Sequence, residues 1–315
     1  MSTDLKTAIE GYTLYGRTTY AKKTYELYEQ KLAKILEIWG NREIESITPT
    51  DISKLMVYLK TEYIPFRFHQ TNELMATPTL ANYWKTLRSF FKWANENLDL
   101  KRPDTTLSQP KYKLKEVNAF SRDEMQRLLY SAEWVVVTNE EGKSYRRHRP
   151  TGVRDLAMLK VMFDTGLRLG ELSRVRVEDV DLEAGSLLVR PFGSSTKSKP
   201  RMAYLGASTK KTLWLYIAKN KKNVKPSDNL FGLGTKRIYR IITDLGKEAN
   251  VTNCHPHRFR HTFAIEFLRS QKDPYSLQRL LGHSSMDMTR HYLDILEDDL
   301  RRIHGSASPV DNNKL

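Results

Sequence analysis

Apolar side chains recur every three or four positions along the first hundred residues, which predicts helices. In TYAKKTYELYEQKLAKILEIWG the apolar face is followed by Gly40, which should end the helix. In TPTDISKLMVYLKTEY, Thr48 is a suitable N-cap and Pro49 fits the first helical position. TPTLANYWKTLRSFFKWANEN predicts a third helix. The chain up to about residue 100 should therefore be all helical.

The pattern changes after this helical part. From Asp99 to Val117, prolines, small polar residues and lysines show no clear period and indicate an interdomain linker. A capping box of Ser121 and Glu124 then begins a helix. VRDLAMLKVMFDTG predicts another helix, which Gly166 should end.

Strands and further helices are predicted in the second half of the chain. SLLVRPF and RMAYLG predict two strands joined by GSSTKSKP, whereas VTNEEGKSYRRHRPTG reads as a polar loop. Helices are predicted from STKKTLWLYIAKNKK and TKRIYRIITDLGKEAN, and from segments that begin near His257, Asp273 and Ser285. In CHPHRFRHTFAIEFLRS, Phe259, Phe263, Phe267 and Leu268 should face a core.

These patterns predict a mainly α protein with a small antiparallel sheet. The predicted segments are an N-terminal extension over 1–17, a helical domain over 18–100, a basic linker over 101–117, a second domain over 118–304 and a polar tail over 305–315.

Composition points to a polyanionic partner. The 315 residues include 52 Lys and Arg against 37 Asp and Glu, a formal charge of +15, and nucleic acid is the first candidate. The single cysteine, Cys254, excludes an intrachain disulfide and a thiolate metal cluster. We find neither a long apolar run nor a signal peptide, so we expect a cytoplasmic protein that does not enter a membrane.

Four separated motifs contain residue types that bind phosphate groups: TGLRLGEL, TKSKPR, HPHRFRH and LLGHSSMDMTRHYLD. Each alone has a structural explanation. Arg168 could cap carbonyls or pair with Glu171, the hairpin lysines could simply be exposed, and His283 could belong to a helix end. Tyr292 in an amphipathic helix could be a half-buried aromatic residue.

Taken together and in this order, the motifs resemble those of the tyrosine recombinases, the phage-integrase and Xer-type family. The resemblance covers the chain from about Thr18 to about Leu300. It implies an all-helical, SAM-like core-binding domain and an α+β catalytic domain that form a C-shaped clamp on double-stranded DNA.

The resemblance also implies residue roles. Tyr292 would attack a phosphodiester and form a covalent 3′-phosphotyrosine. Arg168, Arg260 and His283 would bind the scissile phosphate, because planar guanidinium groups grip phosphate oxygens bidentately. His257 is a candidate for proton transfer with the tyrosine. Lys197 would protonate the leaving 5′-oxygen, and Lys199 is the alternative because the hairpin length varies in the family.

Three further residues near the motifs receive supporting or surface positions. Glu171 should brace the Arg168 loop, His261 should make a structural hydrogen bond, and Arg258 should be exposed or near DNA. No nucleotide cofactor is expected, because the covalent bond conserves the phosphodiester energy. No metal is expected either, because side chains would supply the positive charge.

Additional basic residues are candidates for DNA contacts. Lys85, Arg88 and Lys92 share one face of the third predicted helix, which is either a solvated face or a phosphate-binding one. Lys111 and Lys113 in the linker could follow the phosphate backbone. The family implies inverted-repeat core sites, a tetramer on DNA in the nucleoid and, as a possibility, an accessory directionality factor.

The kind of recombinase stays open between several alternatives. About seventeen residues precede the first predicted helix, too few for an arm-binding domain, and the ending MTRHYLDILEDDLRRIHGSASPVDNNKL favours the integrase of a mobile element. A host Xer-like enzyme that resolves DNA dimers is the first alternative. A type IB topoisomerase or a DNA-binding relative without cleavage are the others.

Overall fold

The computed structural model describes residues 3–65, 72–112, 118–191, 200–220, 225–271, 273–283, 285–286, 288–290 and 292. The chain divides into two compact units, Met1–Lys115 and Glu116–Leu315. Helices dominate both units, and the second contains two small antiparallel sheets. The predicted mainly α fold with a small antiparallel sheet is confirmed.

Helices in the described part of the first unit are α1 (Leu5–Thr19), α2 (Lys22–Trp39), α3 (Pro49–Thr61) and α4 (Thr77–Leu98). The predicted helix ends are found where expected. Gly40 follows α2 with a φ of 72°, which a residue with a side chain would rarely adopt. Thr48 caps α3 and forms a capping box with Asp51.

The predicted N-terminal extension is wrong, because residues 5–19 form helix α1 in the core of the first unit. Leu5, Ala8, Ile9 and Tyr12 are buried at helical spacing. The Tyr12 hydroxyl donates a hydrogen bond to Ser89 Oγ of α4 at 2.7 Å. The helix was missed because polar residues and two glycines interrupt a short apolar face.

The predicted linker begins too early. Asp104 is fully buried and forms ion pairs with Arg88 of α4 at 3.5 Å and with Arg102 at 2.6 Å. The Trp84 indole N–H donates to the Leu107 carbonyl at 3.2 Å. These contacts attach the chain after α4 to the first unit, because a buried carboxylate needs such partners.

Helices in the described part of the second unit are α5 (Arg122–Glu133), α6 (Gly152–Thr165), α7 (Leu169–Leu172), α8 (Ala207–Asn220), α9 (Thr235–Glu248), α10 (Pro256–Gln271) and α11 (Pro274–Leu281). One sheet has the order β3 (Val180–Asp181), β4 (Ser186–Val189) and β5 (Arg201–Tyr204), all antiparallel. The two predicted strands correspond to β4 and β5, with Val189 opposite Arg201.

A second sheet occupies the segment predicted as a polar loop, so that prediction is wrong. Strands β1 (Trp134–Thr138) and β2 (Ser144–His148) pair antiparallel, with Val136 opposite Arg146. The β-branched run of β1 supports a strand. The hairpin was hidden because every residue of β2 is exposed and three of its five residues are Arg or His.

The core of the second unit is built around α6, which packs against α5, α8 and α10. Phe259 of α10 is fully buried, with its ring 4.5 Å from that of Phe163 and 4.9 Å from that of Phe120. Leu268 is buried, and Phe263 and Phe267 are partly buried. The apolar face of α10 is therefore in the core as predicted, and the opposite face is left for polar residues.

Arg258 is buried in the structure, so the prediction that it is exposed or near DNA is wrong. Its guanidinium donates to Glu124 at 2.7 Å and to the backbone carbonyls of Asn118, Ala119 and Thr252. Burial would raise the pKa of Glu124, but the Ser121 backbone N–H and Arg258 together lower it. Arg258 thus holds the start of α5 against the start of α10.

We expect Arg258→Ala to destabilise the second unit by about 3 kcal/mol, because it removes the buried guanidinium that neutralises Glu124 and donates to three backbone carbonyls. Urea unfolding at neutral pH would measure the change. Arg269→Ala is the matched control on the same helix, because Arg269 forms an exposed ion pair with Glu266 and should contribute no more than about 1 kcal/mol. Equal losses in the two variants would contradict the interpretation.

No helix in the described part of the chain has the length and apolar character needed to cross a membrane.

Candidate active site

Arg168 is positioned by the end of α6. Gly166 ends that helix with a φ of 59°, and a Cβ atom at this residue would lie 2.8 Å from Leu281 Cδ2. Both the conformation and the space therefore require glycine. The chain turns there, Leu167 enters the core, and Arg168 becomes the N-cap of α7.

Glu171 holds Arg168 and a second arginine together. Its carboxylate accepts the Arg168 backbone N–H at 2.8 Å and Arg168 Nη1 at 3.1 Å. Arg201, the first residue of β5, donates to both carboxylate oxygens, at 2.8 and 2.9 Å. Arg201 Nε also donates to the carbonyl of Leu280 at 2.9 Å. Glu171 thus braces the Arg168 loop in the structure, and Arg201 connects it to β5 and α11.

The charge of Glu171 is strongly favoured. Burial alone would raise its pKa, but Arg201 and Arg168 lower the pKa from 4.5 to about 2. A carboxyl group whose pKa is depressed by folding stabilises the fold above its unfolded pKa, and this contribution is lost as the pH falls towards the folded value.

We expect Glu171→Gln to lower the unfolding free energy at pH 7 by up to about 3 kcal/mol, the equivalent of the pKa difference between folded and unfolded Glu171. The difference from wild type should shrink as the pH falls from about 4.5 to about 2, where wild-type Glu171 also becomes neutral. Unfolding measured across this pH range checks the expectation. A difference that does not depend on pH would contradict it.

Arg260 lies on α10 and is 3% exposed, and it bridges two loops. Its Nη1 donates to the carbonyl of Gly166 and its Nη2 to the carbonyl of Leu281, both at 2.9 Å. Burial and the neighbouring Arg168 lower the pKa of Arg260 to about 10. The guanidinium therefore remains charged at neutral pH, and its remaining N–H groups can bind an anion.

His283 follows α11 directly. Gly282 ends the helix with a φ of 63°, and His283 is buried with its Nδ1 2.9 Å from the Thr289 hydroxyl. Burial, together with Arg260, Arg168 and Arg201, lowers the pKa of His283 to about 4. At neutral pH this imidazole is uncharged and has one N–H to donate.

Tyr292 lies against two histidines. Its ring is nearly parallel to that of His283, at an angle of 5° and a centroid distance of 6.2 Å. Its hydroxyl is 2.9 Å from Nδ1 of His261 on α10, and the residue is 4% exposed. Burial raises the pKa of Tyr292, while Arg260 and Arg168 act in the opposite direction. The phenol is therefore protonated at neutral pH and lies beside positive charge.

His257 and His261 are neighbours on α10, one helical turn apart, with ring centroids separated by 6.2 Å. The His257 side chain reaches solvent. Partial desolvation of its ring, together with the charges of Arg260 and Arg168, lowers its pKa. Sequence reasoning gave His261 only a structural hydrogen bond and did not predict its contact with the Tyr292 hydroxyl. The i,i+4 spacing was the available signal, since it places both imidazoles on one helical face.

The structure describes some of the other candidate residues but not all of them. Lys197, Lys199 and Lys113 lie outside the described residues. Lys85 and Lys111 are exposed. Arg88 is paired with Asp104 and lies 5.0 Å from the Trp84 ring, and Lys92 is 3.7 Å from Glu96. Across the described ranges, no three His, Cys, Asp or Glu side chains are grouped so that they could hold a metal ion.

The geometry brings Arg168, Arg260, His283 and Tyr292 together from three separated segments of the chain. Cations and neutral imidazoles around a tyrosine hydroxyl suit an enzyme that acts on phosphate esters. Residues 118–298, more than half of the chain, match the family model described as phage integrase family. The chain therefore belongs to the phage integrase family, and it is a tyrosine-type site-specific recombinase.

Individual relatives agree with this assignment. The tyrosine recombinase XerA of Saccharolobus solfataricus is 28% identical over 92% of this chain and 89% of its own length. The crystal structure of a XerA recombinase has 26% identity and a TM-score of 0.50, and the match covers 97% of this chain and 98% of that one. The Tn1549 transposon integrase, solved in complex with a circular intermediate DNA, shares the fold with a TM-score of 0.69 and 19% identity, over 94% of this chain and 99% of its own.

Proposed function

We propose that the protein cuts and rejoins double-stranded DNA at specific sites through a 3′-phosphotyrosine on Tyr292. The observation that carries this proposal is the position of Arg260. Its guanidinium binds the carbonyls of Gly166 and Leu281, each two residues before a candidate phosphate ligand, Arg168 and His283. One buried arginine thus fixes the geometry of both ligands.

The site can lower the barrier to phosphoryl transfer electrostatically. Attack on a phosphodiester builds negative charge on its non-bridging oxygens, and preorganised cations stabilise this charge. Arg168 and Arg260 supply guanidinium groups, and the neutral His283 supplies an N–H. The positions of these groups are fixed by Glu171, by backbone carbonyls and by Thr289 before DNA arrives. Little reorganisation is then needed in the transition state.

The chemical step exchanges one phosphoester bond for another. The Tyr292 oxygen bonds to phosphorus while the bond to the 5′-oxygen breaks, and the leaving oxygen takes a proton. Lys197 is proposed as the proton donor, with Lys199 as the alternative, because lysine in a basic site can have a lowered pKa. Religation is the reverse reaction, in which a 5′-hydroxyl attacks the phosphotyrosine.

We propose double-stranded DNA with inverted-repeat core sites as the substrate. The net charge of +15 and the DNA-bound transposon integrase of the same fold support this substrate. The first unit would act as the core-binding domain, and a tetramer would hold two sites during exchange in the cytoplasm. Lys85, Lys92 and Lys111 are exposed candidates for phosphate contacts.

We further propose that the enzyme serves a mobile element. The segment EEGKSYRRHRP and the ending MTRHYLDILEDDLRRIHGSASPVDNNKL support this choice, because they resemble the sequences of compact Xer proteins less than the catalytic motifs do. A host Xer-like enzyme is the second candidate, favoured by the 28% identity to the Saccharolobus solfataricus recombinase. An accessory directionality factor would belong to the first case.

A suicide-substrate assay tests the proposed chemistry. Nicked duplexes that cover the DNA on both sides of the protein's own gene are incubated with the full chain and separated on denaturing gels. We expect an adduct whose peptide, mapped by mass spectrometry, carries the nucleotide on Tyr292. Relaxation of supercoiled plasmids without any such site would instead support a topoisomerase, and tight binding without an adduct would support a DNA-binding protein that does not cleave.

A further inference from the structure

The Tyr292 hydroxyl contacts His261 in the structure, whereas the sequence motifs suggested His257 for proton transfer with the tyrosine. His261 Nδ1 lies 2.9 Å from this hydroxyl. His257 sits one turn earlier on α10, where it is exposed. The attacking oxygen must lose its proton when it bonds to phosphorus, so the partner of this hydroxyl matters for the reaction.

The direction of this hydrogen bond is set by the tautomer of His261. Burial raises the pKa of Tyr292, so the phenol carries its proton at neutral pH. In the neutral tautomer of His261 with its proton on Nε2, the phenol donates this hydrogen bond and His261 Nδ1 accepts it. A neutral imidazole that accepts from a nucleophilic hydroxyl has the geometry of a general base.

The groups around this pair favour transfer of the proton to His261. Among the described residues, the charged and titratable neighbours of Tyr292 and His261 are His257 and Arg260 on α10, Arg168 after α6 and His283 after α11. The two arginines favour the phenolate. His283 is a poor base, because its Nδ1 contacts Thr289 and its pKa is about 4.

We propose that His261 is a catalytic residue, the general base for Tyr292; this inference rests on the proposed function. As the Tyr292 oxygen bonds to phosphorus, its proton moves to His261 Nδ1, the bond from phosphorus to the 5′-oxygen breaks, and the hairpin lysine protonates the leaving oxygen. In religation, the imidazolium of His261 returns the proton to the tyrosine oxygen. His257 then contacts the phosphate or solvent rather than the phenol.

The kinetic test compares His261→Asn with His257→Asn on the nicked duplex that wild type cleaves, at saturating protein. Asparagine can keep a hydrogen bond near the Nδ1 position but cannot take a proton in this pH range. We expect His261→Asn to slow adduct formation by about 100- to 10,000-fold and to remove the acid limb of the pH–rate profile, while His257→Asn keeps that limb. A normal rate or an unchanged acid limb in His261→Asn overturns the proposal.

A substrate with a 5′-phosphorothiolate separates the two proton transfers, because its sulfur leaves without a general acid. It should restore cleavage to Lys197→Ala or Lys199→Ala, whichever is the acid, but not to His261→Asn. Restoration of His261→Asn to the wild-type rate would overturn the assignment, since His261 would then act on the leaving group.

The contact itself can be tested in the free full-length protein, without DNA. With isotope-labelled histidine, NMR should show Nδ1 of His261 as an unprotonated, hydrogen-bonded nitrogen whose resonance moves in Tyr292→Phe. If the His261 resonances do not change in that variant, the assignment of His261 as general base is overturned while the proposed function stands. Wild-type protein that forms no Tyr292 adduct on any flanking DNA would overturn the proposed function and, with it, this inference.

Discussion

Tyr292→Phe should abolish the covalent protein–DNA adduct on nicked duplexes while the affinity for the same DNA is retained. The phenyl ring can keep its parallel packing against His283, so the fold of the site is preserved. The variant lacks only the phenolic oxygen, so the proposed phosphotyrosine cannot form at this position. Denaturing gels measure the adduct, and gel shifts measure binding.

Tyr275→Phe is the matched control for this experiment. Tyr275 lies on α11 close to the same site in sequence, but it is 68% exposed, and its loss of a hydroxyl should leave cleavage unchanged. An adduct that persists in Tyr292→Phe would show that a different residue is the nucleophile.

The second large effect is expected for Arg260→Lys, which should slow adduct formation by about 100- to 1,000-fold, the usual cost of removing one preorganised donor. Lysine keeps the charge but cannot donate to the Gly166 and Leu281 carbonyls and to a phosphate in the same plane. Binding of DNA should change little, since phosphate contacts elsewhere supply the affinity. Single-turnover rates at saturating protein separate these two quantities.

Arg269→Lys is the matched control, because it makes the same substitution on the same helix at a residue outside the candidate site. Arg269 forms an exposed ion pair with Glu266. The Arg269→Lys variant should therefore form the adduct at the wild-type rate. A similar loss in both variants would indicate a general effect on α10 rather than a role of the Arg260 guanidinium.

Local sequence signals predicted much of the fold. Capping boxes at Thr48 and Ser121 and the glycine after α6 marked helix ends, because they depend on neighbours within a few residues. Helix α1 and the β1–β2 hairpin escaped prediction. Helix α1 is stabilised by packing against α4, and the hairpin by pairing between its two strands. A short run of apolar residues at regular spacing predicts neither contact.

The candidate site was predictable to the extent that motifs carry it. Arg168, Arg260, His283 and Tyr292 could be singled out from three short stretches, and the structure brings them together. The environment of Arg258 was not predictable, since its partner Glu124 lies 134 positions earlier in the chain. The same limit applies to His261, whose contact with Tyr292 depends on how the segment after α11 returns to α10.

The carboxylate of Glu124 completes the capping box of α5 and also binds Arg258 of α10. Replacement of Glu124 alone would leave the buried Arg258 guanidinium without its counter-charge, and replacement of Arg258 alone would remove the charged partner of Glu124. The residue types at the two positions should therefore covary. Across homologous chains, we expect an acidic residue at position 124 to occur together with arginine at position 258. Joint replacement of Glu124 and Arg258 by an uncharged pair should be far better tolerated than either single change. A double-mutant cycle on Glu124 and Arg258 would give the size of this epistasis.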